Sequence, residues 1–94
     1  MERGSLPPGL MLHRTTDVFT DTTVPAGLLR AHRVAQGLWG RLVVLEGRLR
    51  FLWEVPESGD PLDLVGGGSL VIPPDSPHRV EPHAGCRFVV EFHR

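Results

Sequence analysis

The segment that decides the fold spans residues 67–82 and reads GGSLVIPPDSPHRVEP. A short apolar run, Ser69–Ile72, leads into the proline-rich turn 73–77, and the chain resumes at His78. Runs rich in Val, Leu and Ile that are bounded by Gly and Pro predict short strands joined by tight turns. The segment therefore predicts two strands, with a histidine at the start of the second.

The rest of the chain repeats this pattern of short strands between turns. Residues 38–45 and Arg48–Trp53 are separated only by the pair Glu46–Gly47, which predicts a β-hairpin. Further strands are predicted at 28–32, 62–65 and 87–93. No window has the 3.6-residue apolar period that an amphipathic helix needs. The expected fold class is therefore all-β, with the strands arranged as a sandwich or barrel.

The composition excludes several classes of function. The chain has 94 residues, which predicts one domain, and a formal net charge of −1. All ten basic residues are arginines, so Schiff-base chemistry and a P-loop lysine are excluded. The nearly neutral charge argues against a nucleic-acid partner. The glycine run 66–68 is not expected to precede a helix, so no nucleotide cofactor is predicted.

Two observations bear on where the protein resides. A single cysteine, Cys86, excludes an internal disulfide and fits a reducing compartment. The apolar stretch 9–12 is much shorter than a signal-peptide core or a membrane helix. We therefore expect a cytoplasmic protein without a membrane partner.

The order Gly67, Pro73, Asp75, His78 and Pro82 resembles the second sequence motif of the cupins. The motif has Gly, Pro, Gly, His and Asn at the same spacing, so the first Gly, the Pro and the His match. Aspartate in place of the second Gly is a mild change, because it tolerates turn geometries with positive φ. The resemblance implies a cupin-like double-stranded β-helix, a jelly-roll barrel, with the histidine aimed into its mouth.

This resemblance also implies how the chain is organised. Residues 1–94 form one cupin-like domain, in which 1–23 are an entry arm and 24–94 are the barrel core. The exposed edges of a jelly roll favour pairing with a second copy, so a homodimer is expected.

The first cupin motif, which normally supplies most of the metal ligands, is incomplete. His32 matches its first histidine, but Val34 replaces the second, and no carboxylate lies between His32 and Glu46. The resemblance implies a divalent metal (Zn, Fe or Ni) held by His32 and His78, with Glu81 as the candidate third ligand. In a regular strand His78 and Glu81 face opposite ways, so Glu81 joins the site only if a bulge shifts the pleat. The alternative is that both histidines are ordinary polar residues at strand ends.

Three further residues are candidates for a ligand pocket. Glu91 lies in an apolar run, and a buried carboxylate needs a partner, for which Arg41 is the candidate. We favour a structural Arg41–Glu91 ion pair. In the alternative, Arg41 reaches the cavity and binds an anionic ligand through its guanidinium fork. Trp39 is expected in the core or in the pocket wall.

Longer stretches resemble one small cupin family. They are TTVPAGLLRAH at 22–32, GLWGRLVVLEG at 37–47, the prolines and histidine of 73–81, and the ending at 90–92. The sequence is similar to the TehB/YeaR-like family, whose members occur alone or fused in front of a tellurite-resistance methyltransferase. A chain of 94 residues is expected to lack that methyltransferase domain.

The family resemblance implies a function of binding small molecules and metal, associated with tellurite resistance or stress. Two alternatives stay open: a metal-dependent cupin enzyme, such as an oxygenase or isomerase, and a metal-free binding or interaction module. Val34 weighs against the enzyme because it removes a normal ligand. The expected partner is a small molecule, which is anionic if Arg41 reaches it.

Overall fold

A computed structural model describes residues 2–29, 34–54 and 60–94 of the chain. The described residues form nine β-strands and one short 3₁₀ helix, Ala26–Leu29. The strands are β1 (Glu2–Arg3), β2 (Leu12–Thr15), β3 (Phe19–Thr20), β4 (Trp39–Glu46), β5 (Arg48–Trp53), β6 (Leu62–Val65), β7 (Ser69–Ile72), β8 (His78–Pro82) and β9 (Arg87–His93). The all-β class is therefore confirmed. A helix with the length and apolar character needed to cross a membrane does not occur in the described part of the chain.

The strands form two sheets. The larger has six strands in the order β1-β7-β4-β9-β2, with β3 also paired to β9, and the smaller has three in the order β6-β5-β8. Pairing is antiparallel throughout, except that β1 runs parallel to β7. The central pair of the larger sheet, β4 and β9, sets Arg41 opposite Glu91 and Leu42 opposite Val90.

The alternation of side chains along each strand gives each sheet an inner and an outer face. The inner faces carry the buried apolar residues, which join in one core drawn from both sheets. The largest fully buried side chains of this core are Phe51, Phe88, Leu42, Leu49 and Ile72. Removing such a side chain from water contributes about 1.5–3 kcal/mol each. The outer faces carry most of the charged residues.

The predicted hairpin of strands 38–45 and Arg48–Trp53 is wrong. β4 belongs to the larger sheet, whereas β5 pairs with β6 and β8 in the smaller one. The chain changes sheet at Gly47, the single residue between them, which has a φ of 81°. A Cβ at Gly47 would lie 3.0 Å from the Cα of Cys86. One residue is too short for a two-residue hairpin turn, so the chain bends across the core instead.

The entry segment, predicted as an arm at 1–23, forms strands of the larger sheet. β1 pairs with β7 and β2 pairs with β9, so this segment supplies both edge strands. Backbone hydrogen bonds between Met11 and Arg94, each 3.1 Å long, extend the pairing of β2 with β9. The segment is therefore part of the sheet that carries the core.

The strand predicted at 28–32 is wrong in its first two residues, since Ala26–Leu29 is a 3₁₀ helix. The amide of Leu28 donates to the carbonyl of Pro25 at 2.9 Å. A proline suits the start of such a turn because its φ is already fixed near the helical value. The remainder of the predicted strand lies outside the described residues.

Candidate functional site

The turn between β7 and β8 delivers His78 to the interior. Asp75 in this turn has a φ of 56°, the one positive value at a non-glycine position in the described part of the chain. Its amide donates to the carbonyl of Val34 at 3.0 Å, which ties the turn to the segment before β4. The expected tolerance of aspartate for this conformation is therefore confirmed.

His78 is buried, with 2% of its surface exposed. Its ring stacks on Phe51 with centroids 5.2 Å apart, and its Nδ1 lies 2.8 Å from the carbonyl oxygen of Ser76. A carbonyl only accepts hydrogen bonds, so Nδ1 carries a proton and donates it to the Ser76 carbonyl. These contacts fix the orientation of the imidazole.

A cavity of about 190 Å³ lies beside this ring. The inner faces of both sheets line it, and residues between 14 and 28 close one side. Its apolar walls include Leu42, Ile72, Val80, Phe88, Val90 and Phe92. An apolar cavity of about 150 Å³ is known to hold benzene, so this one has room for a single small ring or a short chain.

Three residues of the lining carry polar side chains: Arg14, Thr16 and His78. The Thr16 hydroxyl donates to the carbonyl of Asp17 at 2.9 Å and accepts from the amide of Val90 at 3.0 Å. Both of its hydrogen bonds are therefore made to backbone groups. The guanidinium carbon of Arg14 lies 5.2 Å from the centroid of the Phe92 ring. Because Arg14 is exposed and also lines the cavity, it stands at the opening.

The outer face of the larger sheet carries a network of charged side chains. The Nε of Arg41 donates to Glu2 at 2.9 Å, and its Nη1 donates to Glu91 at 3.2 Å. Glu91 also lies 3.0 Å from the Nε2 of His93. Partial burial lowers the pKa of Arg41, but the hydrogen bonds to Glu2 and Glu91 outweigh it and raise that pKa above its usual range. The ion pair between Arg41 and Glu91 is therefore present.

The three predicted pocket residues share this outer face. Trp39 lies opposite His93 on the neighbouring strand, in the same alternation as Arg41 opposite Glu91. Their strand neighbours on the inner face, including Leu42 and Val90, line the cavity instead. Trp39, Arg41 and Glu91 are thus grouped together, but across the sheet from the cavity.

The predicted metal ligands are placed differently. β8 keeps a regular register with β5, so His78 and Val80 face inward while Glu81 is exposed on the outer face. There Glu81 lies 3.6 Å from the Nε of Arg79. His32 is outside the described residues. Within the described ranges, no group of three or more His, Cys, Asp or Glu side chains is arranged to hold a metal ion.

Sequence reasoning missed Arg14 as a cavity residue. The pairing that sets Arg14 opposite Phe92 joins residues far apart in the chain, and the strand that contains Arg14 was not predicted. The sequence does not signal this pairing. Strand β2 is exposed along its whole length, so it lacks the apolar period by which a strand is predicted.

Comparison with known proteins identifies the family. The family model described as the TehB-like domain matches residues 14–90. A protein from E. coli (strain K12), solved by the Northeast Structural Genomics Consortium, superposes with a TM-score of 0.85 at 23% identity over 96% of this chain and 95% of that one. TehB from Haemophilus influenzae superposes with a TM-score of 0.80 at 24% identity, over 89% of this chain but only 31% of TehB. At such identities the two structures show a shared fold. A search of curated proteins found no significant match.

Proposed function

This chain belongs to the TehB-like domain family, and we propose that it is a small-molecule-binding domain whose ligand occupies the cavity between its two sheets. The observation that carries the proposal is the buried His78 in the wall of an otherwise apolar cavity of about 190 Å³. Binding sites for small molecules combine apolar walls with a few polar groups that fix the orientation of the ligand. The cavity has such walls, and its volume suits a ligand with a single ring.

His78 gives the ligand its orientation. The ring is held between the Phe51 face and the Ser76 carbonyl, so little conformational entropy is lost when a ligand meets it. The fixed imidazole gives the otherwise apolar wall of the cavity a polar edge against which a ligand is oriented.

The two sheets are proposed to form the cupin-like double-stranded β-helix. Support comes from the turn at 73–77, where the positive φ of Asp75 replaces that of a glycine and His78 enters the interior. A role in tellurite resistance or stress is supported by membership of the TehB-like family. The homodimer and the cytoplasmic location stay predictions.

A pair of variants tests the proposed site. Val90 lines the cavity, and its strand neighbour Val89 lies on the outer face, so Val90→Phe fills the cavity while Val89→Phe leaves it open. Phenol, benzyl alcohol and benzoate are titrated in ligand-observed NMR. We expect binding to the wild type and to Val89→Phe, and loss of binding in Val90→Phe. Equal binding by both variants, or no binding of any probe to the wild type, contradicts the proposal.

A metal-binding role is the second candidate. The contact of His78 Nδ1 with the Ser76 carbonyl favours it, because metal-ligating histidines commonly donate their other ring N–H to such an acceptor. The described residues alone do not fit a metal: His78 is a single donor, Glu81 faces away from it, and structural zinc needs four ligands. The metal hypothesis therefore depends on His32, and so does the alternative of a metal-dependent oxygenase or isomerase.

Elemental analysis of untagged protein tests this candidate. If the metal site exists, the wild type carries stoichiometric Zn, Fe or Ni, and both His32→Ala and His78→Ala lose it. A wild type that gains no metal on addition excludes the role. A protein that binds neither metal nor small probes is left with the third alternative, an interaction module.

A further inference from the structure

We propose that the cavity takes a small monocarboxylate whose carboxylate group binds Arg14 at the opening while its apolar part lies against the inner face. This inference rests on the proposed function and adds to it the charge of the ligand. Arg14 is the one full positive charge in the described lining of the cavity.

The larger sheet places Arg14 at the cavity by an irregularity in its edge strand. Leu12 lies opposite His93, and a regular antiparallel register would then set Arg14 opposite Glu91, on the outer face. The register shifts between Leu12 and Arg14, so that Arg14 lies opposite Phe92 instead. A bulge of this kind moves a side chain to the other face of the sheet. It takes Arg14 away from Glu91 and sets it among the cavity residues.

The charge of Arg14 is not neutralised within the described structure. Arg41, Arg50, Arg79 and Arg87 each have a carboxylate oxygen within 3.6 Å. The guanidinium of Arg14 instead lies over the face of Phe92, with its central carbon 5.2 Å from the ring centroid. A cation–π contact orients the guanidinium and leaves its N–H groups available to an anion. A cation at the opening of an apolar cavity attracts anions more strongly than one on an open surface.

The size and lining of the cavity define the rest of the ligand. The guanidinium fork matches the two oxygens of a carboxylate, which it binds through two parallel hydrogen bonds. Behind it, Phe92, Val90 and Leu42 offer apolar contacts within a volume of about 190 Å³. This volume accepts a six-membered ring or a chain of similar bulk. The predicted class is therefore aromatic and short-chain monocarboxylates.

Benzoate and benzamide test the proposal, because they share a shape and differ in charge. Their affinities are measured by NMR titration at low salt for the wild type, Arg14→Gln and the control Arg48→Gln. Arg48 is exposed on the outer face of the smaller sheet, away from the cavity. We expect the wild type to bind benzoate about tenfold more tightly than benzamide, as for a charge-assisted hydrogen-bonded pair.

The two variants test whether Arg14 causes the preference for benzoate over benzamide. Arg14→Gln is expected to abolish the preference for benzoate and to keep the affinity for benzamide, whereas Arg48→Gln keeps both. If benzamide binds the wild type but benzoate is not preferred, or if Arg14→Gln keeps the preference, the carboxylate proposal is overturned and the proposed function stands. If neither compound binds the wild type, the carboxylate proposal fails, and the proposed function fails with it only when phenol and benzyl alcohol do not bind either.

Discussion

The two faces of the central pair β4–β9 differ in chemistry although the same two strands form both of them. On the outer face Arg41 binds Glu91, and one position further along each strand Leu42 and Val90 line the cavity. Arg41 is held by carboxylates, whereas Arg14, moved inward by a bulge, faces the cavity. Strand register therefore decides which arginine is structural and which can meet a ligand.

The largest expected effect is the loss of an inner-face side chain. Phe88 is fully buried and packs edge-on against Phe19, with ring centroids 5.7 Å apart. Phe88→Ala is expected to lower the free energy of unfolding by about 3–5 kcal/mol, because it leaves a cavity in the core. The outer-face control Val89→Ala should cost about 1 kcal/mol or less.

Urea unfolding monitored by circular dichroism gives both values. Equal losses for the two variants would mean that the two faces are not distinct. If Phe88→Ala does not fold, Phe88→Leu replaces it and is expected to destabilise by about 1.5 kcal/mol.

The next largest loss of stability is expected at Gly47, where the chain leaves the larger sheet. Gly47 has a φ of 81° and an added Cβ would meet the Cys86 backbone at 3.0 Å, whereas Gly67 has a φ of 90° with open space around it. Both alanine variants pay about 1 kcal/mol or more for the left-handed backbone. Gly47→Ala is expected to cost about 1 kcal/mol beyond Gly67→Ala, because it also forces two backbones apart. Equal losses of unfolding free energy for the two variants, measured by urea unfolding, would contradict the close approach of the Gly47 and Cys86 backbones.

The charged network on the outer face separates stability from binding. Arg41→Met removes the partner of the half-buried Glu91 and of the exposed Glu2, and it is expected to lower the free energy of unfolding by about 1 kcal/mol. The affinity for benzoate should stay unchanged, because Arg41 lies across the sheet from the cavity. Unfolding experiments and benzoate titrations on the same sample check both parts. A weaker affinity for benzoate would return Arg41 to the ligand site.

The smallest effect is a pH dependence at Cys86, which is buried just before β9. Burial raises the pKa of its thiol, and the Asp21 carboxylate raises it further. The unfolded chain therefore ionises first, so stability is complete below the unfolded pKa of about 8.5 and declines as the pH rises above it. Urea unfolding between pH 7 and pH 10 should show a steeper decline for the wild type than for Cys86→Ala. Parallel curves would exclude this thiol as the cause.

Local patterns in the sequence predicted part of this arrangement. The bounds of β7 and β9, the tolerance of Asp75 for positive φ, and the contact between Arg41 and Glu91 follow from turn residues and from the need to pair a carboxylate in an apolar run. Each depends on neighbours in the chain or on a single opposite charge.

The features that the sequence did not reveal depend on long-range pairing. A glycine between two strand patterns resembles a hairpin, yet Gly47 joins strands of different sheets. The inward position of Arg14 arises from a bulge against β9, almost eighty residues further along the chain, which leaves no local signature. Residue types alone therefore pointed to Arg41, whereas the pairing register points to Arg14.

The most direct test of the account follows the two faces while a ligand binds. Methyl groups of Leu, Val and Ile are observed by NMR as benzoate is added to the wild type. We expect shifts at the inner-face methyls of Leu42, Ile72, Val80 and Val90. We expect no shifts at the outer-face methyls of Val43, Val71 and Val89. Shifts confined to the outer face, or no shifts at millimolar benzoate, would contradict this expectation.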